Sequence, residues 1–278
     1  MINILLSTYN GEQFLAQQLD SIINQSYSDW QLYIRDDGST DGTISILNEY
    51  SKKDNRIHLF EDINNLGACR SFERLLTLFG DADYFAFSDQ DDVWNVDKLA
   101  VLLETMQSAT KEDQDQPIVV HSDLSVVDEH LHEISPSFWR YSNIHPEILD
   151  NNIRYLSICN SVTGCTMLFN RKAREYALPM SEKAYMHDAW IALSTLNNGG
   201  KIIPIFKSTI AYRQHGENAL GAIKYSLLGR SISNRLEDAK RCYKMAHPQI
   251  YKNMWSFLMW KIIYICHRTF YNISQCVL

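Results

Sequence analysis

The first hundred residues alternate between short apolar runs and stretches with helical spacing, and this alternation limits the possible folds most strongly. The apolar runs at residues 2–6, 32–34, 57–60 and 84–87 have the length and composition of β-strands. Between them, apolar side chains recur every three or four residues, as helices require. Repeated strand–helix–strand units predict an α/β fold, in which helices cover both faces of a mostly parallel sheet.

The second half of the chain is less regular. A fifth strand is predicted at residues 118–120, after Pro117. From about residue 123 to residue 157 no period is visible, which indicates either a long surface connection or a segment that serves binding. A strand near residues 165–169, a helix after His187 and two strands near residues 201–206 and 209–212 are predicted beyond it.

Polar clusters follow each of the first four predicted strands. They occupy residues 7–11, 36–42, 64–67 and 89–92. Each of them alone could be an ordinary turn, because Asp, Asn, Gly and Ser favour turns. In a parallel sheet, however, all four lie at the carboxyl edge, where open α/β sheets bind ligands. Their coincidence predicts one ligand site at that edge.

The cluster at residues 89–92 contains Asp89, Asp91 and Asp92. Like charges this close together are unfavourable unless a cation neutralises them. Oxygen ligands favour a hard divalent ion such as Mg²⁺ or Mn²⁺, which is commonly shared with substrate phosphates. A solvated acidic turn is the alternative interpretation of this segment by itself.

Composition and missing motifs exclude several classes of protein and of binding partner. Residues 222–278 carry nine basic and two acidic residues, whereas the whole chain has a net charge of −7, so the body is acidic and nucleic acid is not its expected partner. The six cysteines form no C-x-x-C pair, and no secretory signal pattern begins the sequence, so we expect a cytoplasmic setting. No glycine-rich dinucleotide motif, P-loop or nucleophile elbow is present.

The motifs at residues 7–10, 36–41 and 89–92, in this order, resemble the family 2 glycosyltransferases of GT-A fold over about residues 1–215. The resemblance implies a single, mostly parallel, Rossmann-like sheet flanked by helices and a C-terminal helical extension. The corresponding domains are residues 1–221 and a basic, aromatic-rich tail at residues 222–278. Such enzymes transfer a sugar from a nucleotide-diphosphate donor to a hydroxyl.

The resemblance also implies roles for individual residues. The positions it assigns to the nucleotide and donor are Thr8, Tyr9, Asn10, Asp37, Arg70 and Asp89. Those it assigns to a divalent cation are Asp89, Asp91 and His215, with Asp92 as a supporting neighbour. Within this set, Asp37 is expected to read the base, since a carboxylate accepts a hydrogen bond from the N–H of a pyrimidine ring.

The catalytic base implied by the resemblance is Asp188. Glu is commoner than His187 at the preceding position, so the role of that neighbour differs here. Gly164, His187 and Trp190 correspond to the acceptor side. In the implied reaction Asp188 deprotonates the acceptor hydroxyl, which displaces the nucleotide in one step with inversion, while a divalent cation offsets the charge on the departing diphosphate.

The sequence also predicts features of the C-terminal tail and of the substrates. Residues 255–265 are apolar and aromatic except for Lys261, and the run is shorter than the roughly 20 residues of a spanning helix. It predicts either a helix that lies on a membrane or one that packs on protein; in the first case the acceptor is lipid-linked. Residues 88–94 and 212–218 resemble rhamnosyltransferase-like members of bacterial surface polysaccharide synthesis, which suggests a dTDP-rhamnose donor. The alternatives are a sugar-phosphate nucleotidyltransferase and a non-enzymatic carbohydrate- or nucleotide-binding module.

Overall fold

The computed structural model describes residues 1–60, 64–111, 113, 115–216, 222 and 232–277. In the first half the elements are β1 Ile2–Thr8, α1 Leu15–Ile23, β2 Trp30–Asp36, α2 Thr43–Lys53, β3 Ile57–Phe60, α3 Ala68–Leu78, β4 Tyr84–Ser88, β5 Val93–Trp94, α4 Lys98–Thr110 and β6 Ile118–Val127. In the second half they are β7 Glu133–Ser135, α5 Phe138–Ser142, α6 Pro146–Leu149, α7 Ile153–Leu156, a 3₁₀ turn at Gly164–Thr166, β8 Met167–Asn170, α8 Arg171–Ala177, α9 His187–Asn197, β9 Lys201–Arg213, α10 Ile232–Ala246 and α11 Met254–Val277.

One sheet organises the fold. Its strand order is β3-β2-β1-β4-β8-β6-β9-β5, and β7 pairs with β6 beside this path. Strands β3, β2, β1 and β4 run parallel to one another, as predicted. Strand β8 lies antiparallel between β4 and β6, while β6 and β9 are parallel. The predicted α/β class with a single sheet is therefore confirmed, and its parallel part carries the polar clusters at one edge.

The sheet is covered on both faces because its central strands are apolar on both sides. In β1, Ile4 and Leu6 pack with helices α1, α2 and α4, whereas Leu5 packs with α3, α8 and α9. Such uninterrupted apolar strands are typical of parallel sheets that helices bury on both faces. The alternation of side chains along β1 thus separates two hydrophobic cores, and the loops at the strand ends remain accessible for ligands.

Two regions differ from the sequence-based expectation. The two strands predicted near residues 201–206 and 209–212 form one strand, β9, and that prediction was wrong. The pairing of β9 with β6 skips two residues of β9 between Ile205 and Ser208. The exposed Phe206 and Lys207 therefore bulge out of the ladder and interrupt the apolar pattern. Residues 123–157 contain the end of β6, β7 and the helices α5–α7, which are too short to show a helical period.

The C-terminal helical extension is present as α10 and α11. The ring of Tyr264 on α11 contacts that of Tyr155 on α7 in a tilted arrangement, with centroids 5.4 Å apart, and the Tyr251 hydroxyl donates to the Arg154 carbonyl at 2.8 Å. One face of the tail therefore packs on the body. The predicted boundary between residues 221 and 222 adjoins positions outside the described residues, so it stays a prediction. Across the described part of the chain, none of the helices combines the length and apolarity needed to span a bilayer.

Candidate active site

The polar loops after β1, β2, β3 and β4 border one cleft of about 840 Å³. From the first half of the chain its lining includes Ser7, Thr8, Tyr9, Asp37, Asn65, Gly67, Asp89, Gln90 and Asp91. From the second half it includes Thr163, Gly164, Tyr185, Met186, His187, Asp188 and Tyr212. The structure thus brings together carboxylates from three segments that lie about 50 to 150 positions apart in the sequence: Asp37, the pair Asp89 and Asp91, and Asp188.

Asp37 directly follows β2, and four hydrogen-bond donors hold its carboxylate in place. Its carboxylate accepts hydrogen bonds from the backbone N–H groups of Leu66 at 2.7 Å and Gly67 at 2.8 Å, and from the Ser71 hydroxyl at 3.0 Å. Arg35, which is fully buried, forms an ion pair with it. Burial alone would raise the pKa of Asp37, but these donors outweigh burial and hold that pKa below its ordinary value. The group is therefore a fixed, ionised hydrogen-bond acceptor.

Gln90 joins the first polar loop to the acidic turn. Its side-chain oxygen accepts from the Tyr9 N–H at 2.8 Å, and its side-chain nitrogen donates to the Tyr9 carbonyl at 2.9 Å. A Cβ at Gly11 would lie 2.4 Å from the Gln90 oxygen, so only glycine leaves room for this pairing. Asn10 does not line the cleft; its side-chain oxygen accepts from the Thr40 N–H at 2.8 Å, which connects the loops after β1 and β2.

The carboxylates of the acidic turn have two different sets of neighbours. Asp89 and Asp92 lie with the Cys165 thiol in a group whose ligand atoms are all within 4.8 Å of one another. Burial, reinforced by Asp91 and Asp188, raises the pKa of Asp89 to about 7. Asp91 instead meets His215, whose Nε2 lies 2.8 Å from its Oδ2.

This donor set fits a divalent cation. One carboxylate oxygen of Asp92 is buried, and among the described residues it has no hydrogen-bond partner, a costly arrangement that a cation would relieve. Carboxylate oxygens suit Mg²⁺ or Mn²⁺ in combination with phosphate oxygens. Asp89, Asp91 and Asp92 would hold the ion, with His215 beside Asp91.

Two buried basic residues that sequence reasoning missed lie against the acidic turn. Lys98 Nζ donates to the Cys165 carbonyl at 2.7 Å; burial lowers the pKa of Lys98 well below its ordinary value, and Cys165, Asp92 and Asp89 only partly oppose that shift. Arg213, at the end of β9, donates from its backbone N–H to Asp92 at 3.2 Å and from Nε to the Asp91 carbonyl at 2.8 Å. Both are therefore positioning residues for the carboxylates. Lys98 is the first residue of α4 and Arg213 the last residue of β9, and no local sequence pattern distinguishes them from solvated basic residues at the ends of elements.

Asp188 lies in the first turn of α9 and lines the same cleft as Asp37. Its carboxylate accepts from the N–H of Gly164 at 3.1 Å and from that of Ala189 at 2.5 Å. Burial raises its pKa to about 6 in spite of these donors. A carboxylate with a pKa close to neutrality is suited to take up a proton and release it again.

His187 forms part of the cleft wall next to this carboxylate. Its ring packs on Phe72 with centroids 4.1 Å apart, and a Cβ at Gly164 would lie 2.8 Å from its Nε2. Burial lowers the pKa of His187 to about 3, so the ring is neutral at ordinary pH. The commoner Glu would add a second negative charge beside Asp188, whereas this histidine adds none.

Arg70 and Trp190 do not line the cleft. The Arg70 guanidinium pairs with Glu73 and donates to the Ser181 carbonyl at 2.9 Å. Trp190 donates from Nε1 to the Ala177 carbonyl at 2.7 Å. Both side chains brace the segment that leads into α9. Their expected contacts with nucleotide and acceptor stay predictions, and neither residue enters the proposal below.

The pKa of Asp188 predicts the pH dependence of catalysis. If this carboxylate accepts the proton, kcat/KM at saturating Mn²⁺ should be level above about pH 7 and fall about tenfold per pH unit below about pH 6. The neutral His187 should contribute no further change in this range. A rate–pH profile measured with one donor and acceptor checks this; an acid limb centred near pH 4 would exclude a buried base.

Comparison with known proteins agrees with this geometry. The sequence model of glycosyl transferase family 2 matches residues 3–177. An uncharacterized glycosyltransferase of Haemophilus influenzae is 27% identical over 221 residues, which cover 78% of this chain and 66% of that protein. The dTDP-rhamnosyl transferase RfbG of Shigella flexneri is 40% identical over 98 residues, 34% of each chain. This chain thus spans two thirds or less of these relatives.

Solved structures show the same fold at low sequence identity. TarS of S. aureus, in complex with UDP-GlcNAc, aligns with a TM-score of 0.57 at 17% identity over 87% of this chain and 65% of that one. The mannosyltransferase PcManGT of Pyrobaculum calidifontis, in complex with GDP-Man and Mn²⁺, gives a TM-score of 0.57 at 17% identity, covering 78% and 58% of the two chains. These likenesses support the GT-A fold. The chain belongs to the family 2 glycosyltransferases.

Proposed function

We propose that this chain transfers a sugar from a nucleotide-diphosphate donor to a hydroxyl of a glycan or lipid-linked acceptor, with inversion at the anomeric carbon and in a metal-dependent manner. The observation that carries the proposal is that Asp37, the acidic turn at residues 89–92 and Asp188 border one cleft. A base-reading carboxylate, a cation site and a general base are the groups that this reaction needs.

The donor would bind across the sheet edge. Asp37, ionised and fixed, accepts the ring N–H of the base, while Thr8 and Tyr9 flank the nucleotide. The bound divalent cation would supply charge compensation for the departing diphosphate. Asp89, Asp91 and Asp92 would hold the ion, and Arg213, Lys98 and Gln90 position the acidic turn that carries them.

The acceptor would approach from the side of Gly164 and His187. Asp188 takes the proton from the acceptor hydroxyl while the hydroxyl oxygen forms a bond to the anomeric carbon. At the same time the bond from that carbon to the diphosphate oxygen breaks. The attack and the departure occur on opposite faces of the sugar, so a single displacement inverts the configuration. The protonated Asp188 later returns the proton to water.

We infer that the donor carries thymine or uracil, and dTDP-rhamnose is the first candidate. Both bases present a ring N–H to a carboxylate, as guanine also does, whereas adenine and cytosine present a ring acceptor at the corresponding position. The similarity to the rhamnosyltransferase RfbG supports rhamnose. Bacterial surface polysaccharide synthesis in the cytoplasm is the proposed setting, without nucleic acid as a partner.

A donor screen tests this proposal. Nucleotide sugars are compared for thermal stabilisation of the protein with and without Mn²⁺. A ligand at about 100 times its Kd stabilises the folded state by about 2.7 kcal/mol, which raises the Tm by several degrees. We expect this shift for dTDP- or UDP-sugars with Mn²⁺ and not for ADP-sugars. Equal stabilisation by nucleotide sugars of every base, or stabilisation by none of them, would reject the proposed donor site. Inversion is tested separately, by NMR of the anomeric configuration of the product.

A further inference from the structure

One wall of the cleft is built from apolar side chains that the proposed reaction does not yet use. We call it the apolar wall, and it consists of Leu124, Phe138, Ile144, Val162 and the ring of Tyr212. The Phe138 and Tyr212 rings lie with their centroids 6.3 Å apart, in a tilted arrangement. An apolar surface inside a polar, acidic cleft requires a ligand with an apolar face of its own.

The order of the strands places the apolar wall on the acceptor side of the cleft. Asp37 follows β2, the acidic turn follows β4, and Leu124 and Tyr212 lie near the ends of β6 and β9. Because β8 is antiparallel to both β4 and β6, the strands β4, β6 and β9 end at the same edge of the sheet. Between the acidic turn and the wall lies the turn before β8, where the Gly164 N–H contacts Asp188. The wall therefore continues the cleft beyond the proposed base, away from Asp37.

Hydrogen bonds outside the cleft hold the apolar wall in shape. The Asp123 carboxylate accepts from the backbone N–H groups of Leu124 at 2.8 Å and Phe138 at 3.1 Å, which joins the end of β6 to the start of α5. Ser161, the residue before Val162, donates its hydroxyl to a buried carboxylate on the chain, that of Asp150. The wall is thus preformed, and a ligand does not have to order it on binding.

The chemistry of the site selects the kind of ligand. Whatever binds beside Asp188 must carry the attacking hydroxyl, which a lipid chain lacks. A neutral pyranose sugar carries hydroxyls on its rim and C–H groups on its faces, and these C–H groups pack well on an aromatic ring. A uronic acid or a polyol phosphate would instead bring a negative charge against apolar side chains and next to the Asp188 carboxylate, which is unfavourable on both counts.

We propose that the apolar wall is the subsite for the terminal sugar of the acceptor, and that this sugar is a neutral pyranose whose C–H face packs on Phe138. Phe138 is thereby a specificity-determining residue. The identification of the bound sugar as an acceptor rests on the proposed function, whereas binding of a neutral glycoside to the wall does not require transfer.

Saturation-transfer NMR on the full chain, with dTDP and Mg²⁺ present, tests the subsite. The probes are methyl glycosides at millimolar concentration, in pairs that differ only in charge: glucoside with glucuronide, and galactoside with galacturonide. Methyl rhamnoside and methyl N-acetylglucosaminide extend the neutral set. We expect at least one neutral glycoside to bind through the C–H protons of one ring face, and the uronides to bind about tenfold or more weakly.

Substitutions at Phe138 test the assignment to the wall. Phe138→Ala should weaken glycoside binding by about tenfold, whereas Phe138→Tyr, which retains the aromatic face, should bind within a few-fold of wild type. The matched control is Phe206→Ala, because this exposed ring packs on Trp139, the neighbour of Phe138, from outside the cleft lining. We expect the control to bind glycosides as the wild type does, and the donor-dependent rise in Tm to be the same in all four proteins.

Several results would overturn the proposal: uronides that bind as tightly as their neutral partners, no binding by any neutral glycoside, or unchanged binding in Phe138→Ala. Equal weakening by Phe206→Ala would also overturn it, since the effect would then come from the position of α5 and not from the Phe138 ring. Donor-dependent stabilisation without glycoside binding would reject this subsite and leave the proposed function standing. Glycoside binding without donor-dependent stabilisation would reject the donor site instead.

Discussion

Asp188→Asn should reduce the transfer rate by about 10²–10⁴-fold, the usual contribution of a general base, which corresponds to about 3–5 kcal/mol of activation free energy. Asparagine has nearly the same shape and can still accept from the Gly164 N–H, but it cannot take a proton. Donor binding should remain within a few-fold of wild type, because Asp37 and the acidic turn are unchanged. Initial rates and calorimetric titration with donor nucleotide measure the two quantities.

The same variant should be more stable than the wild type at neutral pH. Burial raises the folded-state pKa of Asp188 from 3.8 to about 6, so above about pH 6 the fold contains a buried charge that an unfolded chain would solvate. Removing it should add up to about 3 kcal/mol to the free energy of unfolding, and this gain should vanish as the pH falls from about 6 towards 4. Urea unfolding at several pH values measures it.

The stability result also serves as a control. A variant that is inactive and at least as stable as the wild type cannot have lost activity through unfolding. Asp81→Asn, the same substitution at an exposed position, should change neither rate nor stability. Transfer by Asp188→Asn at a rate near that of wild type would remove this residue as the base.

Asp91→Asn should remove most of the metal-dependent part of donor affinity. Loss of a partner outside the coordination shell typically lowers metal affinity 10–100-fold, so loss of a proposed ligand should cost at least about that much. The amide retains the volume of the side chain and can keep its contact with His215, which confines the change to charge. Calorimetric titration of donor nucleotide, with Mn²⁺ and with a chelator, measures the effect.

The metal-free arm of this titration is the control. The nucleoside alone should bind wild type and Asp91→Asn equally, since Asp37 and its donors lie at the end of another strand. The difference between the two proteins should appear only when Mn²⁺ is added. Equal Mn²⁺ dependence in both proteins would show that the ion, if bound, is held elsewhere.

The fold was predictable where its signals are local. Apolar runs and helical spacing depend on neighbouring residues, and they placed β1 to β4, the early helices and the polar clusters correctly. The irregular stretch at residues 123–157 was harder to predict, because α6 and α7 have four residues each and, of the two, α7 alone has a side-chain N-cap, Asn152. The bulge at Phe206 and Lys207 likewise depends on the register with β6, which no local pattern records.

The parts of the site that were missed depend on contacts between distant segments. Arg213 meets the Asp91 carbonyl across 122 positions, and Lys98 meets the Cys165 carbonyl across 67. Conversely, Arg70 and Trp190 were expected at the ligand from motif position, whereas hydrogen bonds with neighbouring segments direct their side chains away from the cleft. Motif position gives the neighbourhood of a side chain but not its direction.

The sequence by itself determined the class of fold, the edge of the sheet at which the cleft lies and the acidic residues available there, because hydrophobic periodicity and strand-end position are local properties. Only the tertiary structure decided which carboxylates share a cleft, which buried basic residues lie against them and that burial raises the pKa of Asp188 to about 6. These properties arise from long-range packing, which excludes water from charged groups and selects their partners.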